Sequence, residues 1–223
     1  MKTQRSPSVK ICGITQIEQA LEIASLGVDA IGVIGVESSP RFLCEKKRRT
    51  LFNELIKNAP SIKRVWVVAN LDIKEIREGI EGEGSPSTVQ LHGGESRKLC
   101  EELKKSYPDI QWWKALQIRK KTDLHLAETY EDSVDAILLD AWSGSSLGGT
   151  GNRLPIKWLE NINYKIPWWL AGGISDSSIN EILSRTQPTG IDASSKLELQ
   201  PGIKDIEKVK ALLDKLKAIK KLS

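Results

Sequence analysis

The ten residues Val9-Lys10-Ile11-Cys12-Gly13-Ile14-Thr15-Gln16-Ile17-Glu18 place a short apolar strand directly before the start of a helix. The first five positions are rich in β-branched residues and end at a glycine, which is typical of a buried strand. Thr15 and Glu18 then have the spacing of a helix capping box. This stretch therefore predicts one complete βα unit, with the helix starting just after the strand.

The strand signal recurs along the whole chain, at intervals of about 26 residues, which is the period of a short βα repeat. Between the strands lie segments with helical spacing of apolar residues. The eight predicted strands are residues 9–13, 30–34, 63–69, 88–92, 110–115, 136–140, 167–171 and 190–193.

Helix starts are readable at several points between these strands. Asp72 begins a second capping-box pattern, and Ser178 with Glu181 predicts a cap for the seventh helix. The last helix is predicted to follow Asp205, and residues 155–162 predict a helix of only two turns.

Eight strand–helix pairs in 223 residues favour an α/β fold of the (β/α)8 TIM-barrel type, which needs about 200 to 250 residues. An open doubly wound sheet is the alternative, with its ligand near the first βα turn. Polar residues at the ends of well-separated strands, Cys12, His92, Asp140 and Asp192, favour the barrel. We expect a single domain over residues 9–223, preceded by a flexible N-terminal tail, residues 1–8.

Composition argues against several classes of partner. The 33 Lys and Arg exceed the 29 Asp and Glu by only four, and the excess lies in the last helix, so nucleic-acid binding is not expected. No apolar run approaches the roughly 18 residues of a membrane span. Three widely spaced cysteines, Cys12, Cys44 and Cys100, suggest a reducing, cytoplasmic setting. With two histidines, no metal site is expected.

Cys12 and Asp140 are the leading candidates for chemistry, because each ends a predicted strand. A buried cysteine is often just a small apolar residue, and an aspartate can simply cap a turn. Asp140, however, precedes a segment with four glycines, residues 142–151, which is expected to move over a ligand. That context favours a functional carboxylate.

The loops after strands seven and eight predict a phosphate site. Gly172 and Gly173 allow backbone N–H groups to approach an anion, and Ser194 and Ser195 add hydroxyl donors. In many barrels these two loops hold a phosphate. Two ordinary βα turns are the alternative interpretation.

Further candidates lie on strands two to four. Gln90 and His92 alternate with Leu91, so both point to one side of strand four, expected to be the barrel interior. His92 is equally compatible with a core role. Arg41, in the loop after strand two, suits a ligand carboxylate but also a plain surface charge.

The seven tryptophans mainly predict core packing. In each adjacent pair, Trp112-Trp113 and Trp168-Trp169, one ring is expected to face into the barrel and the other outward. Trp66 and Trp142 are predicted to be neighbours of the site.

Seven short motifs occur in a fixed order along the chain. They are Lys10-Ile11-Cys12-Gly13-Ile14-Thr15, Ser39-Pro40-Arg41, Val89-Gln90-Leu91-His92-Gly93, Leu138-Leu139-Asp140, Leu147-Gly148-Gly149-Thr150-Gly151, Leu170-Ala171-Gly172-Gly173 and Ile191-Asp192-Ala193-Ser194-Ser195. Together they resemble the phosphoribosylanthranilate isomerase family of tryptophan biosynthesis. The similarity runs from Lys10 to Asp205, nearly the whole chain, and is specific because the motifs occur together.

The resemblance implies an eight-stranded barrel and an Amadori rearrangement of a phosphorylated aminosugar that needs no cofactor. It implies that Cys12 is the general base, Asp140 the general acid and Arg41 the group that holds the anthranilate carboxylate. Asp192 and Gln90 are then expected to bind sugar hydroxyls, and His92 to line the pocket. The family's members are monomers or homodimers.

Departures from the family pattern leave alternatives open. Trp66 and Val68 stand where relatives commonly have Gly and Phe, so we expect Trp66 to fill the volume that Val68 leaves. Lys196 replaces a glycine after the two serines, and residues 151–158 differ from the usual sequence. A related barrel acting on another aminoaldose, or a binding protein without turnover, is the alternative function.

Overall fold

The runs of β-branched and apolar residues form strands because parallel strands covered on both faces need apolar side chains on both sides. The computed structural model describes residues 6–141 and 153–222. Its eight main strands are β1 (Ser8–Cys12), β2 (Ala30–Ile34), β3 (Lys63–Val68), β4 (Thr88–Leu91), β5 (Gln111–Ile118), β6 (Ala136–Ala141), β7 (Trp168–Ala171) and β8 (Gly190–Ala193).

These strands close into one parallel barrel in sequence order. The closure is made by β1, which pairs with β2 through Lys10 and Ala30 and with β8 through Lys10 and Asp192. The barrel prediction is confirmed, and the open-sheet alternative is wrong. The strand begins at Ser8, one residue earlier than predicted, and the first five residues of the predicted tail lie outside the described chain.

Helices follow the strands around the outside. They are α1 (Ile17–Ser25), α2 (Glu45–Asn58), α3 (Ile73–Ile80), α4 (Arg97–Ser106), α5 (Leu126–Tyr130), α6 (Ile156–Leu159), α7 (Asp176–Arg185) and α8 (Ile206–Leu222). Two short 3-10 segments, Lys121–His125 and Ser195–Leu197, and a hairpin of β9 (Glu198–Gln200) and β10 (Ile203–Lys204) complete the chain.

The predicted starts of α3 and α8 are confirmed, and two predicted caps are wrong. Asp72 and Glu75 form the full capping box of α3. At α1, however, the N-cap residue is Gln16, and the Thr15 hydroxyl instead donates to the carbonyl of Gly202 at 2.7 Å. Thr15 is used for a tertiary contact because the β9–β10 hairpin packs against it.

The other helix corrections concern α7 and α6. Helix α7 begins one turn earlier than predicted, with Ser175 as the N-cap residue and Ser178 as its capping partner. Helix α6 is a single turn, shorter than the predicted two.

Alternation along the strands splits the core in two. Inward-facing residues, including Cys12, Val65, Val67 and Leu138, form one cluster inside the barrel, and a larger cluster lies between strands and helices. The tryptophan-pair prediction is confirmed. Trp113 and Trp169 meet inside with ring centroids 4.5 Å apart, whereas Trp112 and Trp168 pack in the outer cluster.

Trp66 is not a neighbour of the interior, contrary to the prediction. Trp66 lies in the outer cluster together with Val68. The two side chains therefore share one region of the core, as the hypothesis that Trp66 fills the volume left by Val68 requires. The Arg48 guanidinium of α2 stacks 4.5 Å from the ring centroid, and Gly79 of α3 leaves room for the ring edge. Trp142 lies outside the described residues.

Within residues 6–141 and 153–222, no helix combines the length and apolar character that crossing a membrane requires.

Candidate active site

Four strands bring polar side chains into the interior at the carboxyl end of the barrel. They are Cys12 on β1, Gln90 on β4 with His92 directly after it, Asp140 on β6 and Asp192 on β8. All are buried, although the barrel interior is otherwise lined by apolar residues. Buried polar groups are expensive unless they are paired, so such a group of them points to function.

Lys10 is the centre of this group. Its fully buried ammonium donates to Gln90 Oε1 and to Asp192 Oδ2, both at 2.8 Å. Burial alone would lower the pKa of Lys10, but Asp192 and Cys12 outweigh it and raise the pKa above its usual value. Lys10 is therefore a protonated cation at the base of the site.

Lys10 also fixes the proton on His92. An ammonium only donates, so the amide oxygen of Gln90 faces Lys10 and the amide nitrogen faces His92. Gln90 Nε2 lies 3.0 Å from His92 Nδ1, which must then accept. We infer that the imidazole carries its proton on Nε2, which lies 3.5 Å from Asp140 Oδ2. The chain of hydrogen bonds from Lys10 through Gln90 thus ends at His92, whose Nε2 is the atom nearer to Asp140.

Cys12 lies beside this chain. Gly32 on β2 makes room for it, since a Cβ on Gly32 would lie 2.7 Å from Cys12 Sγ and 2.9 Å from Lys10 Cε. Burial raises the pKa of the Cys12 thiol, and Lys10 and Lys204 oppose that effect while Asp192 adds to it. Lys10 and Lys204 are therefore the two cations that favour the thiolate form of Cys12.

Arg41 lies over the turn that follows Cys12. Gly13 has φ of 78°, and a Cβ there would collide with the aliphatic stem of Arg41. The guanidinium forks onto Glu198, with Nη2 2.7 Å from Oε2 and Nε 2.9 Å from Oε1. Glu198 Oε1 also accepts from Lys204 at 2.7 Å. The predicted carboxylate-binding arginine is thus already paired along one edge.

The predicted phosphate residues lie at the ends of two hydrogen-bonded strands, β7 and β8. Gly172 and Gly173 have φ of 91° and 64°, a backbone region that glycine adopts without strain. The Ser194 hydroxyl donates to the Cys12 carbonyl at 2.9 Å, which ties this loop to the end of β1. Ser195 begins the 3-10 turn, and Lys196, the departure from the family pattern, is exposed within it.

Two buried polar atoms of the site have no hydrogen-bond partner among the described residues: Asp192 Oδ1 and His92 Nε2. With the proton assignment above, one is an acceptor and the other a donor. Both suit the hydroxyl groups of a sugar, since a hydroxyl donates and accepts.

Sequence reasoning missed three charged residues of the site: Lys10, Glu198 and Lys204. Lys10 carried a usable signal, because it lies two residues before Cys12 and so faces the same side of β1. Glu198 and Lys204 come from the β9–β10 hairpin, which no strand pattern marked. Outside the site, Cys44 is exposed, and burial raises the pKa of the Cys100 thiol to about 11.

Comparisons with known proteins show which family this chain resembles. The model of the family described as N-(5'phosphoribosyl)anthranilate (PRA) isomerase matches residues 9–215. The N-(5'-phosphoribosyl)anthranilate isomerase of Nostoc punctiforme is 43% identical over 208 residues, which cover 93% of this chain and 97% of the relative. The Thermosynechococcus vestitus isomerase is 40% identical, over 94% of this chain and 89% of that protein.

Solved structures show the same similarity. The Thermotoga maritima phosphoribosyl anthranilate isomerase superposes with a TM-score of 0.84 at 27% identity, covering 95% of this chain and 99% of that one. A phosphoribosyl anthranilate isomerase in complex with reduced 1-(o-carboxyphenylamino)-1-deoxyribulose 5-phosphate gives 0.78 at 26% identity, with the same coverage. The chain therefore belongs to the N-(5'-phosphoribosyl)anthranilate isomerase family.

Proposed function

We propose that this protein converts N-(5-phosphoribosyl)anthranilate to 1-(2-carboxyphenylamino)-1-deoxyribulose 5-phosphate in tryptophan biosynthesis, with Asp140 as general acid and Cys12 as general base. The observation that carries the proposal is the interior polar group itself. A carboxyl and a thiol, which suit proton transfer, are buried on one barrel face together with unpaired atoms suited to sugar hydroxyls. The matched family supplies the reaction.

The first step opens the furanose ring. The lone pair on the anthranilate nitrogen forms a double bond to C1 as the bond from C1 to the ring oxygen breaks. Its electrons stay on that oxygen, which takes a proton from Asp140. The product is an open-chain iminium with a free hydroxyl at C4. Asp140 must enter this step protonated, and the neighbouring His92 Nε2 at 3.5 Å is a donor that stabilises the carboxylate left behind.

The second step removes the hydrogen at C2. The adjacent iminium acidifies this position, and the Cys12 thiolate takes the proton. The C–H electron pair forms a C1–C2 double bond, and the iminium electrons return to nitrogen. The resulting enolamine gives the ketone when the C2 hydroxyl loses its proton and C1 gains one. The rearrangement involves no net oxidation, so its chemistry requires only acid and base.

The remaining polar residues hold the substrate between acid and base. We assign the phosphate to Gly172, Gly173, Ser194 and Ser195, where positive-φ glycines and hydroxyls lie at two neighbouring strand ends. The phosphate is not transformed, so its binding energy serves to orient the sugar.

Sugar hydroxyls and the anthranilate carboxylate complete the assignment. Asp192, through its unpartnered Oδ1, and Gln90 bind the hydroxyls, and His92 lines the pocket. The guanidinium of Arg41 holds the carboxylate with the donors that Glu198 leaves unused.

The test uses the fluorescence of the anthranilate group. Phosphoribosylanthranilate is generated in situ, and its fluorescence loss is followed with wild type, Cys12→Ser, Asp140→Asn and the exposed-thiol control Cys44→Ser. We expect wild type and Cys44→Ser to turn the substrate over. The rates of Cys12→Ser and Asp140→Asn should fall by at least about 100-fold, which is the usual contribution of general acid–base catalysis. A folded wild type that binds the reduced product analogue without turnover would overturn the proposal.

A further inference from the structure

A buried lysine that the mechanism above does not use lies next to the proposed base. Lys10 precedes Cys12 by two residues on β1, so both side chains enter the barrel interior. The two side chains meet next to Gly32, which has no side chain. A Cβ atom built on Gly32 would lie within 3 Å of both Cys12 Sγ and Lys10 Cε, so these two atoms are close to each other. The Lys10 side chain is 0% exposed.

We propose that Lys10 is the positioning residue that makes Cys12 usable as a base, because its ammonium, held in place by Asp192 and Gln90, stabilises the Cys12 thiolate. This inference rests on the proposed role of Cys12.

The electrostatics around the thiol support this role. Three charged groups act on it from the packed elements: Lys10 on its own strand, Asp192 on β8 and Lys204 on β10. Burial opposes the thiolate, and Asp192 opposes it further. The positive charge of Lys10 favours the thiolate, and its effect is larger than the opposing effect of the Asp192 charge. Without Lys10, the thiolate would form beside a buried carboxylate with only Lys204 to offset it.

Gln90 and Asp192, the two partners of Lys10, fix the position of its ammonium group. Contacts of 2.8 Å to Gln90 Oε1 and Asp192 Oδ2 fix the nitrogen at one point. A fixed charge costs no reorganisation when the thiolate forms, and this preorganisation is what makes such a charge effective in a buried site. Replacing a whole buried ion pair by apolar residues is often neutral or stabilising, so stability alone does not account for the Lys10–Asp192 pair.

Lys10 also reaches the acid side of the site. By orienting the Gln90 amide it sets the His92 proton on Nε2, towards Asp140. The Lys10 cation thus acts on both proton-transfer groups, Cys12 and Asp140. A neutral hydrogen-bond donor at this position would orient Gln90 but would not stabilise a thiolate by its charge.

The experiment measures the thiol directly. In a Cys44→Ser background, Cys12 is alkylated with iodoacetamide from pH 7 to pH 11, and the modified peptide is quantified by mass spectrometry. Iodoacetamide is neutral, so the charge of Lys10 does not steer it. We expect Lys10→Met to shift the midpoint of alkylation upward by about one pH unit and to slow alkylation about tenfold at a fixed pH below the midpoint. A folded Lys10→Met protein whose profile overlays that of the parent overturns the inference.

A second comparison guards against misfolding, since Lys10→Met leaves Asp192 buried without its partner. Asp192→Asn is compared with Lys10→Met/Asp192→Asn, a pair in which neither protein has that unpaired carboxylate. We expect the double variant to have the higher alkylation midpoint, and equal midpoints would reject the role of Lys10. If instead the midpoint shifts but Cys12→Ser keeps full isomerase activity, the proposed role of Cys12 as general base fails while the coupling of Lys10 to the thiol stands.

Discussion

Arg41 and Glu198 form a two-point ion pair at the mouth of the barrel, with Nη2 2.7 Å from Oε2 and Nε 2.9 Å from Oε1. Both side chains are buried, and Lys204 binds the same carboxylate at 2.7 Å. The pair holds the Arg41 side chain in place, with its aliphatic stem lying against Gly13. Under the proposed function, Glu198 therefore sets the direction from which Arg41 meets the anthranilate carboxylate.

Glu198→Gln is expected to raise KM about tenfold with a smaller change in kcat. The amide is neutral, and its nitrogen is a donor where Oε2 accepted from Arg41 Nη2, so the guanidinium loses one of its two contacts and its fixed orientation. Steady-state fluorescence kinetics would measure both constants. A mispositioned arginine weakens binding in ground state and transition state alike, which appears in KM.

The control for this variant is a product analogue that lacks the anthranilate carboxylate. Its affinity should be the same for wild type and Glu198→Gln, because Arg41 has nothing to bind in it. Equal weakening of the analogues with and without the carboxylate would contradict the role given to Glu198.

The same ion pair predicts a pH dependence of stability. Burial raises the pKa of the Glu198 carboxyl, but hydrogen bonds from Arg41 and Lys204 outweigh it and hold the pKa below its usual value. A carboxyl with a lowered folded pKa stabilises the protein above its unfolded pKa of about 4.3 and loses that contribution as the pH falls through the folded value. The difference in unfolding free energy between wild type and Glu198→Gln should shrink from pH 6 to pH 3 in urea titrations. A constant difference would be inconsistent with this ion pair.

Much of this architecture was predictable because it depends on alternation along single strands. Trp112 and Trp113 divided between the two cores as the period of two requires. The same argument, applied to Trp66, would have placed it outside, because Val65 and Val67 on either side face inward. Its prediction as a site neighbour was wrong for that reason.

Contacts between distant segments were not predictable. Thr15 has the sequence of a helix cap, but its hydroxyl bonds Gly202, far away in the chain. Glu198 lies in a hairpin so short that it has no strand pattern, and its partner Arg41 is 157 positions away. Such pairings depend on how barrel loops meet, which local propensity does not encode.

The three cysteines should differ in reactivity. At pH 7.5 we expect iodoacetamide to modify Cys44 first, because it is exposed, and Cys12 more slowly, because burial raises the pKa of its thiol. Cys100 should react last, because its side chain is 0% exposed in α4 whereas Cys12 is 6% exposed. Peptide mapping over time measures the order, and early modification of Cys100 would contradict the packing of α4.

A further buried ion pair, between Glu95 and Lys114, joins two loops. Glu95 Oε2 lies 2.9 Å from Lys114 Nζ, and this carboxylate also accepts from the backbone N–H groups of Asn70 and Gly93. Glu95→Gln leaves the Lys114 ammonium buried without a counter-charge, and we expect a loss of about 3 to 5 kcal/mol in unfolding free energy.

Urea titration at pH 7 measures that loss, and Glu54→Gln provides a matched control. Glu54 pairs with Lys57 at 3.0 Å on the surface of α2, where removing the charge should change stability by less than about 1 kcal/mol. Similar effects of the two substitutions would mean that the Glu95 pair is not shielded from solvent.

Gly79→Ala should destabilise the protein, against the ordinary helix trend. Alanine in place of glycine inside a helix normally stabilises by about 1 kcal/mol. Here a Cβ on Gly79 would collide with Cη2 and Cζ3 of the Trp66 ring. The ring cannot retreat easily, because the Arg48 guanidinium stacks on it and donates to the Gly79 carbonyl at 2.8 Å. We expect a net loss of about 1 to 3 kcal/mol, as for other overpacked cores.

The effect of Gly79→Ala on stability should change from destabilising to stabilising when the Trp66 indole is removed. Trp66→Val alone creates a cavity and is expected to cost about 3 kcal/mol or more. In that background the added methyl group of Gly79→Ala enters free space, so the helix preference returns and the substitution stabilises. Unfolding free energies of the four proteins, measured in urea at 25 °C, give the coupling between the two sites. Additive effects would mean that Trp66 does not rest on Gly79, and that the aromatic at this strand position fills volume elsewhere in the outer core.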